Sequence, residues 1–410
     1  MKYAIIGSAL AGNKGAAAML ESAVQQLSER DADARVTLLS MYPRSDAAQN
    51  EYSNLTVLDA SPLRLGVLIN SAALAYRLLP PARAAIAARV PEVAALASAD
   101  VLLDQGGITF VDGRGKFLIY NVASVLPALF VGTPVVKCAQ ALGPFKTFLN
   151  STAAKAILPR MAAIVSRGAV SQEHLEGLGL KNTTAGADLA FTLDVTERDI
   201  AAARSAVDVT FFDGNDVIGI SPSAVLRKSA EAKGGNYVAE VQRMVDYFTG
   251  VLGKKVFLVA HSARANTDKA HNNDLPLCRE IYAGVERKDM VLFPDAELSS
   301  QSLRYLIGRC DLFVASRFHA MVSSLAMQVP TLVIGWSHKY REVLDMFGLA
   351  QWAMGHDVYT DDAFQAKFAE LAATKTDVRA TLAEAFPRVR ATALEQVDVI
   401  LRVASGARKA

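Results

Sequence analysis

A chain of 410 residues and 43.8 kDa is longer than one ordinary domain, and at that size about three-quarters of the unfolded surface can be buried, so two sizeable cores are within reach. Hydrophobic residues at 51%, charged residues at 20% and a mean hydropathy of +0.21 exclude a disordered chain, a collagen-like repeat and a disulfide-stapled mini-protein. Lys+Arg (43) nearly balances Asp+Glu (41), and a net charge of +2 gives no electrostatic reason to expect a nucleic acid, so any anion must be held by local design.

Residues 3–7 read as a first strand rather than a signal peptide, which leads us to expect a cytoplasmic protein. A helix over 15–28 and a strand over 35–40 complete a βαβ unit. Residues 61–89 combine Leu, Ala and Ile with Arg64, Arg77, Arg83, Arg89 and the pair Pro80-Pro81. Packing over a sheet is the favoured reading of these apolar faces, and peripheral contact with an anionic membrane is the alternative. Strands follow at 101–104, 135–141, 163–166 and 182–185. The twenty uncharged residues between Lys116 and Lys137 include Asn121, Ser124, Pro127, Gly132 and Pro134, and so read as helix, turn and buried strand rather than a membrane span.

The grammar restarts at Val217, with strands at 217–221, 256–260, 290–293, 312–315 and 331–335. We therefore expect an α/β protein of two Rossmann-type domains with parallel sheets facing a central cleft, where ligands commonly bind. The boundaries are 1–195, 196–360, and a helical 361–410 that closes the second domain or crosses back to the first. Cys138, Cys278 and Cys310 show no C-x-x-C spacing and read as small buried hydrophobes, with neither disulfide framework nor zinc ribbon.

The turn from Gly7 through Gly12-Asn13-Lys14-Gly15 follows a strand and opens a helix, so its amides are candidates to hold an anion. Its spacing is neither G-x-G-x-x-G nor Walker A: Lys14 stands one place late, and Gly15 replaces the magnesium-binding Ser or Thr. A tight turn is the competing reading. Gly106-Gly107 and the Gln140-Ala141-Leu142-Gly143-Pro144-Phe145 turn each end a strand of the first sheet. Arg167 also ends a strand. Asp188 lies among small apolar residues, where partial burial would suit it to proton transfer, or where it caps a turn.

The sharpest pattern is Ser316-Arg317-Phe318-His319 between two strands. Ser316 as N-cap would put Arg317 and His319 in the first helical turn, where a cation needs an anionic partner that a phosphate or carboxylate would supply. His319 then becomes a candidate general acid. After the next strand, His338 and Lys339 are candidates for a second charged group, and Trp336 and Tyr340 for stacking on a sugar. His261, His271 and Asp274 are of metal-ligating type but lack a ligand spacing, so no metal is expected. His174 and His356 read as surface residues.

In their order along the chain, Gly12-Asn13-Lys14-Gly15-Ala16, Gly106-Gly107, Gln140 to Phe145, Ser166-Arg167, Gly186-Ala187-Asp188, Ser316-Arg317-Phe318-His319 and Gly335-Trp336-Ser337-His338-Lys339-Tyr340 resemble the bacterial polysaccharide pyruvyltransferases. The resemblance spans roughly residues 3 to 350. It implies a GT-B-like fold and transfer of pyruvate from phosphoenolpyruvate to two hydroxyls of a sugar, as a ketal. The setting would be exopolysaccharide or cell-wall glycan assembly, with no cofactor beyond the donor. It also implies donor contacts from His319, Arg317 and Arg167; Asp188 is our own candidate base from its setting, and we expect the inner face of the membrane if the acceptor is lipid-linked. Ala16 and Ala17 stand where many members carry Asp-Glu, so this chain supplies no acid there. A nucleotide-sugar glycosyltransferase of the same fold and a non-catalytic carbohydrate-binding subunit are the alternatives.

Overall fold

The computed structural model of the chain describes residues 1–214, 216–264, 272–335 and 339–407. By internal contacts it divides into two compact units, one comprising Met1–Ala11, Ala16–Leu193 and Arg390–Ala410, the other Gly12–Gly15 and Asp194–Val389.

The first unit is built on seven parallel strands: β1 Lys2–Ile6, β2 Arg35–Ser40, β3 Leu55–Asp59, β4 Val101–Asp104, β5 Val135–Gln140, β6 Ala163–Arg167 and β7 Thr183–Gly186. Their order is β3-β2-β1-β4-β5-β6-β7, which reverses direction between β1 and β4. Because side chains alternate along a strand, Ala4 and Ile6 join one core, under the helices that carry Leu65, Ala73, Ala128 and Ile157, while Tyr3 and Ile5 join the other. That second core is closed by Leu20, Val24 and Leu27 of helix Lys14–Arg30 and by Val397, Ile400 and Ala404 of helix Lys375–Ala407. Burial on both faces explains the near-continuous apolar strands behind the chain's high hydropathy. The uncharged stretch behaves as read: helix Leu126–Val131 stops at Gly132, whose φ of +90° is the left-handed conformation glycine adopts without penalty, and β5 follows. No described helix is long and apolar enough to cross a membrane.

The second unit carries six parallel strands: β8 Val217–Ser221, β9 Lys255–Leu258, β10 Val291–Leu292, β11 Leu312–Ala315, β12 Thr331–Gly335 and β13 Ala353–Gly355. The order β10-β9-β8-β11-β12-β13 repeats the first pattern and reverses between β8 and β11. In open sheets of this kind, ligands bind beyond the carboxyl ends of the strands at the reversal.

β3 and β13 were not anticipated from the sequence. β3 is a largely half-exposed edge strand, and β13 is three residues, Ala-Met-Gly, with no β-branched side chain to announce it. Two histidines also differ from expectation. His174 is half-buried over Gly143 and donates from Nδ1 to the Leu142 carbonyl at 3.1 Å, and His356 donates from Nε2 to Glu240 at 2.8 Å while stacking on Tyr359. All three cysteines are buried free thiols.

Candidate functional site

The candidate residues fall into two sets, one in each unit. In the second unit, β8 lies between β9 and β11, so the segments that leave all three carboxyl ends converge. Ser316 continues β11 by donating its amide to the Ser221 carbonyl at 2.9 Å, and β9 leads within three residues to His261.

Arg317, not Ser316, is the N-cap of helix Phe318–Ala326, and no side chain caps it. The anionic partner its position calls for is inside the protein. Arg317 donates through Nε to Asp274 at 2.7 Å, through Nη2 to the other oxygen of the same carboxylate, and through Nη1 to Asn272 at 2.9 Å. Asp274 also accepts the amides of Ser262 at 3.0 Å and Ala224 at 2.9 Å, so its carboxylate ties three segments together. Burial alone would lower the Arg317 pKa; the Asp274 charge outweighs it and holds the guanidinium above its ordinary value.

His319 lies against the backbone of Gly15. A Cβ at residue 15 would come within 2.0 Å of His319 Nδ1, so this position admits the imidazole because it is glycine. That gives the glycine-rich turn a different role from the expected anion cradle. The Gly12 amide donates to Glu297 at 3.0 Å, the Lys14 amide to the His261 carbonyl at 3.3 Å and the Gly15 amide to Asn13 Oδ1 at 3.1 Å. Lys14, 1% exposed, is neutralised by Glu297 at 2.9 Å. Asn13 bridges to Ser262, and the Ala263 amide donates to the Gly12 carbonyl at 3.0 Å. The turn is thus fastened to the His261 segment and holds His319 by shape.

His261 is the residue that sequence reasoning undervalued. It is 3% exposed, and its Nε2 has no hydrogen-bond partner among the described residues. Burial first, and then the charges of His319, Arg317 and Arg304, push its pKa well below the ordinary histidine value. Arg317 reaches His261 as a charge already paired with Asp274, so the imidazole is depressed by burial first and by its neighbours' charges second. Arg304, 2% exposed in helix Ser300–Gly308, gave no sequence signal, since an arginine in the helix of an amphipathic pattern reads as surface.

Tyr340 is 3% exposed, donates to the Ser316 carbonyl at 3.1 Å and meets the Phe318 ring edge-on, so it braces the Ser316 turn rather than offering a face to a sugar. Lys339 lies over the Phe318 and Tyr340 rings. Trp336, Ser337 and His338, like His271, lie outside the described residues.

The second set sits at the carboxyl edge of the first sheet. Arg167 and Asp188 form a buried ion pair at 2.9 Å, and Asp188 Oδ1 caps a following 3-10 turn by accepting the Ala190 amide at 3.0 Å. A Cβ on Gly107 would make ordinary contact, at 3.7 Å, with Arg167 Nη1. The Gly106 amide donates to Asp104 Oδ1 at 3.0 Å. Gln140 is fully buried: its Nε2 donates to the Asp104 carbonyl at 2.6 Å and its Oε1 accepts from Thr109, so its polar atoms join β4 to β5.

The model of the family described as polysaccharide pyruvyl transferase matches residues 13–338. The amylovoran biosynthesis protein AmsJ of Erwinia amylovora is 23% identical over 390 residues, covering 90% of this chain and 91% of that protein. Among solved structures, a UDP-GlcNAc 2-epimerase of Neisseria meningitidis bound to UDP-GlcNAc is similar with a TM-score of 0.59 at 11% identity, covering 98% of this chain and 100% of the other. A glycosyltransferase of Rickettsia africae gives a TM-score of 0.54 at 11% identity, covering 100% and 98%. These likenesses establish the shared fold of two Rossmann-like domains.

Proposed function

The chain belongs to the polysaccharide pyruvyl transferase family, and from that membership we propose that it moves the pyruvyl group of phosphoenolpyruvate onto two hydroxyls of one sugar, as a ketal, in exopolysaccharide or cell-wall glycan assembly. The observation that carries this reading is the buried Nε2 of His261, which has no hydrogen-bond partner among the described residues and feels the charges of His319, Arg317 and Arg304. Phosphoenolpyruvate brings a phosphate and a carboxylate, two anionic groups for such a cluster. AmsJ, named for amylovoran biosynthesis, supports the polysaccharide setting.

In the proposed reaction a general acid, His319, delivers a proton to the methylene carbon of the donor, and the C2=C3 double bond becomes a methyl group on an oxocarbenium-like C2. One sugar hydroxyl oxygen bonds to C2 and gives up its proton. The C2–O bond to phosphorus-bearing oxygen breaks, inorganic phosphate leaves, and the second hydroxyl bonds to C2 with loss of its proton. Of the two protons released, one restores the acid and the other leaves with phosphate. Arg304, and the Nη N–H groups of Arg317 beyond those given to Asp274 and Asn272, stabilise the departing negative charge, and electrostatic stabilisation of this type is commonly the largest catalytic contribution.

Thermal unfolding separates this reading from a nucleotide-sugar glycosyltransferase. Phosphoenolpyruvate at a hundred times its Kd is expected to add about 2.7 kcal/mol of stability, whereas UDP-GlcNAc adds none. Burial and the neighbouring charges hold the His261 pKa down, so a bound anion should raise it, and any proton taken up on binding is read by calorimetry in buffers of different ionisation enthalpy. Stabilisation by the nucleotide sugar and not by phosphoenolpyruvate would favour the glycosyltransferase.

A further inference from the structure

The first unit exposes a band of large apolar side chains that no interior packing explains. A π-helical turn, Arg64–Ile69, runs into helix Asn70–Leu78, and the inward residues Leu65, Ile69 and Ala73 enter the core at a spacing of four. On the opposite side Leu63, Val67, Leu74 and Leu78 are spaced four, seven and four apart, which keeps them on one helical face, and all four are exposed, Leu63 by 83%. Asn70 Nδ2 donates to the Ala123 carbonyl at 3.1 Å, which sets helix Leu118–Ala123 beside this one, and that helix packs in turn on helix Phe148–Ile157. Each adds exposed apolar groups: Ile119 at 80%, Phe148 at 81% and Leu149 at 71%.

The charges in these segments are nearly all of one sign, the exception at their border being Asp112, whose carboxylate accepts from Lys146, Thr147 and Asn150. Residues 61–91 contain four arginines and no acid, and residues 113–160 contain six Lys or Arg and no acid. Arg64 and Lys137 spend their charge on the buried carboxylates of Glu92 and Asp104; the other eight are exposed. This bias is local, since the whole chain carries only +2.

We propose that this face docks on an anionic lipid bilayer, with the aliphatic and aromatic side chains entering the headgroup–acyl boundary and the basic residues meeting the lipid phosphates. Exposed apolar patches of this kind mark interaction sites, and a basic rim adds attraction to an anionic surface. Charge selects the occupant: a second copy would bring the same basic rim against this one, whereas an anionic bilayer complements it. No described helix can cross the bilayer, so the contact is peripheral. The inference stands apart from the reaction proposed above, because it invokes none of the residues of that site.

Flotation with vesicles of equimolar phosphatidylglycerol and phosphatidylcholine tests it, with phosphatidylcholine vesicles as control. The parent chain is expected to float with the anionic vesicles and at least about tenfold less with the neutral ones. The triple variant Val67→Ser, Leu74→Ser, Leu78→Ser should lose flotation, and the pair Arg77→Glu, Arg89→Glu should weaken it at least about tenfold. All five positions are exposed, so circular dichroism and melting should match the parent. Failure of the parent to float on anionic vesicles would overturn the proposal. So would a parent dimer in sedimentation that the triple variant abolishes while flotation persists, because the face would then belong to a second copy.

Discussion

Replacing His319 by alanine is expected to lower kcat for phosphate release from phosphoenolpyruvate by about 10²- to 10⁴-fold, the usual contribution of a positioned general acid. The side chain is half-buried and rests on Gly15, and its removal leaves the Arg317–Asp274 pair and the strands of the second unit in place, so melting should stay close to the parent. The split between kinetic constants separates two roles. A proton donor acts in the transition state, so kcat and kcat/KM fall together; a phosphate ligand used equally in ground and transition states raises KM with little change in kcat. Near-parental turnover at saturating and at low donor would remove His319 from the mechanism.

Asp274→Ala should have the largest effect on stability, about 3–5 kcal/mol, because it strands the Arg317 guanidinium without its counter-charge. The side chains of Arg317 and Asp274 are 14% and 0% exposed, so water cannot replace the lost carboxylate cheaply. The Ser262 and Ala224 amides lose an acceptor in the same substitution. Asp274→Asn keeps an oxygen for one of these amides and should be less costly. Urea unfolding followed by a probe in the second unit reads the difference, since the two units need not unfold in one step. A change under about 1 kcal/mol would mean that the pair contributes little beyond an exposed salt bridge.

Much of the fold was legible because burial on both faces writes parallel strands as apolar runs, and the runs beginning at Tyr3, Val101, Val135 and Leu312 were found on that ground. β3 and β13 escaped because edge strands need not be apolar and three residues carry no period. At the site, Ser-Arg-Phe-His marked the right turn, yet dipole reasoning alone could not say that Arg317 already had Asp274, which lies 43 residues away in sequence. Gly15 illustrates the same limit. Its value lies in the room it leaves for His319, a contact no local spacing encodes. His261 was visible as a histidine at a strand end, but its neighbours Arg304 and His319 come from other elements, and only their convergence gives it a cationic setting.

The most direct measurement follows phosphate and the new ketal carbon together, with carbon-labelled phosphoenolpyruvate and a panel of sugar acceptors. The account predicts phosphate release that requires an acceptor, with one ketal carbon appearing by NMR for each phosphate freed. Turnover of a nucleotide sugar in the same panel, with phosphoenolpyruvate left intact, would contradict it.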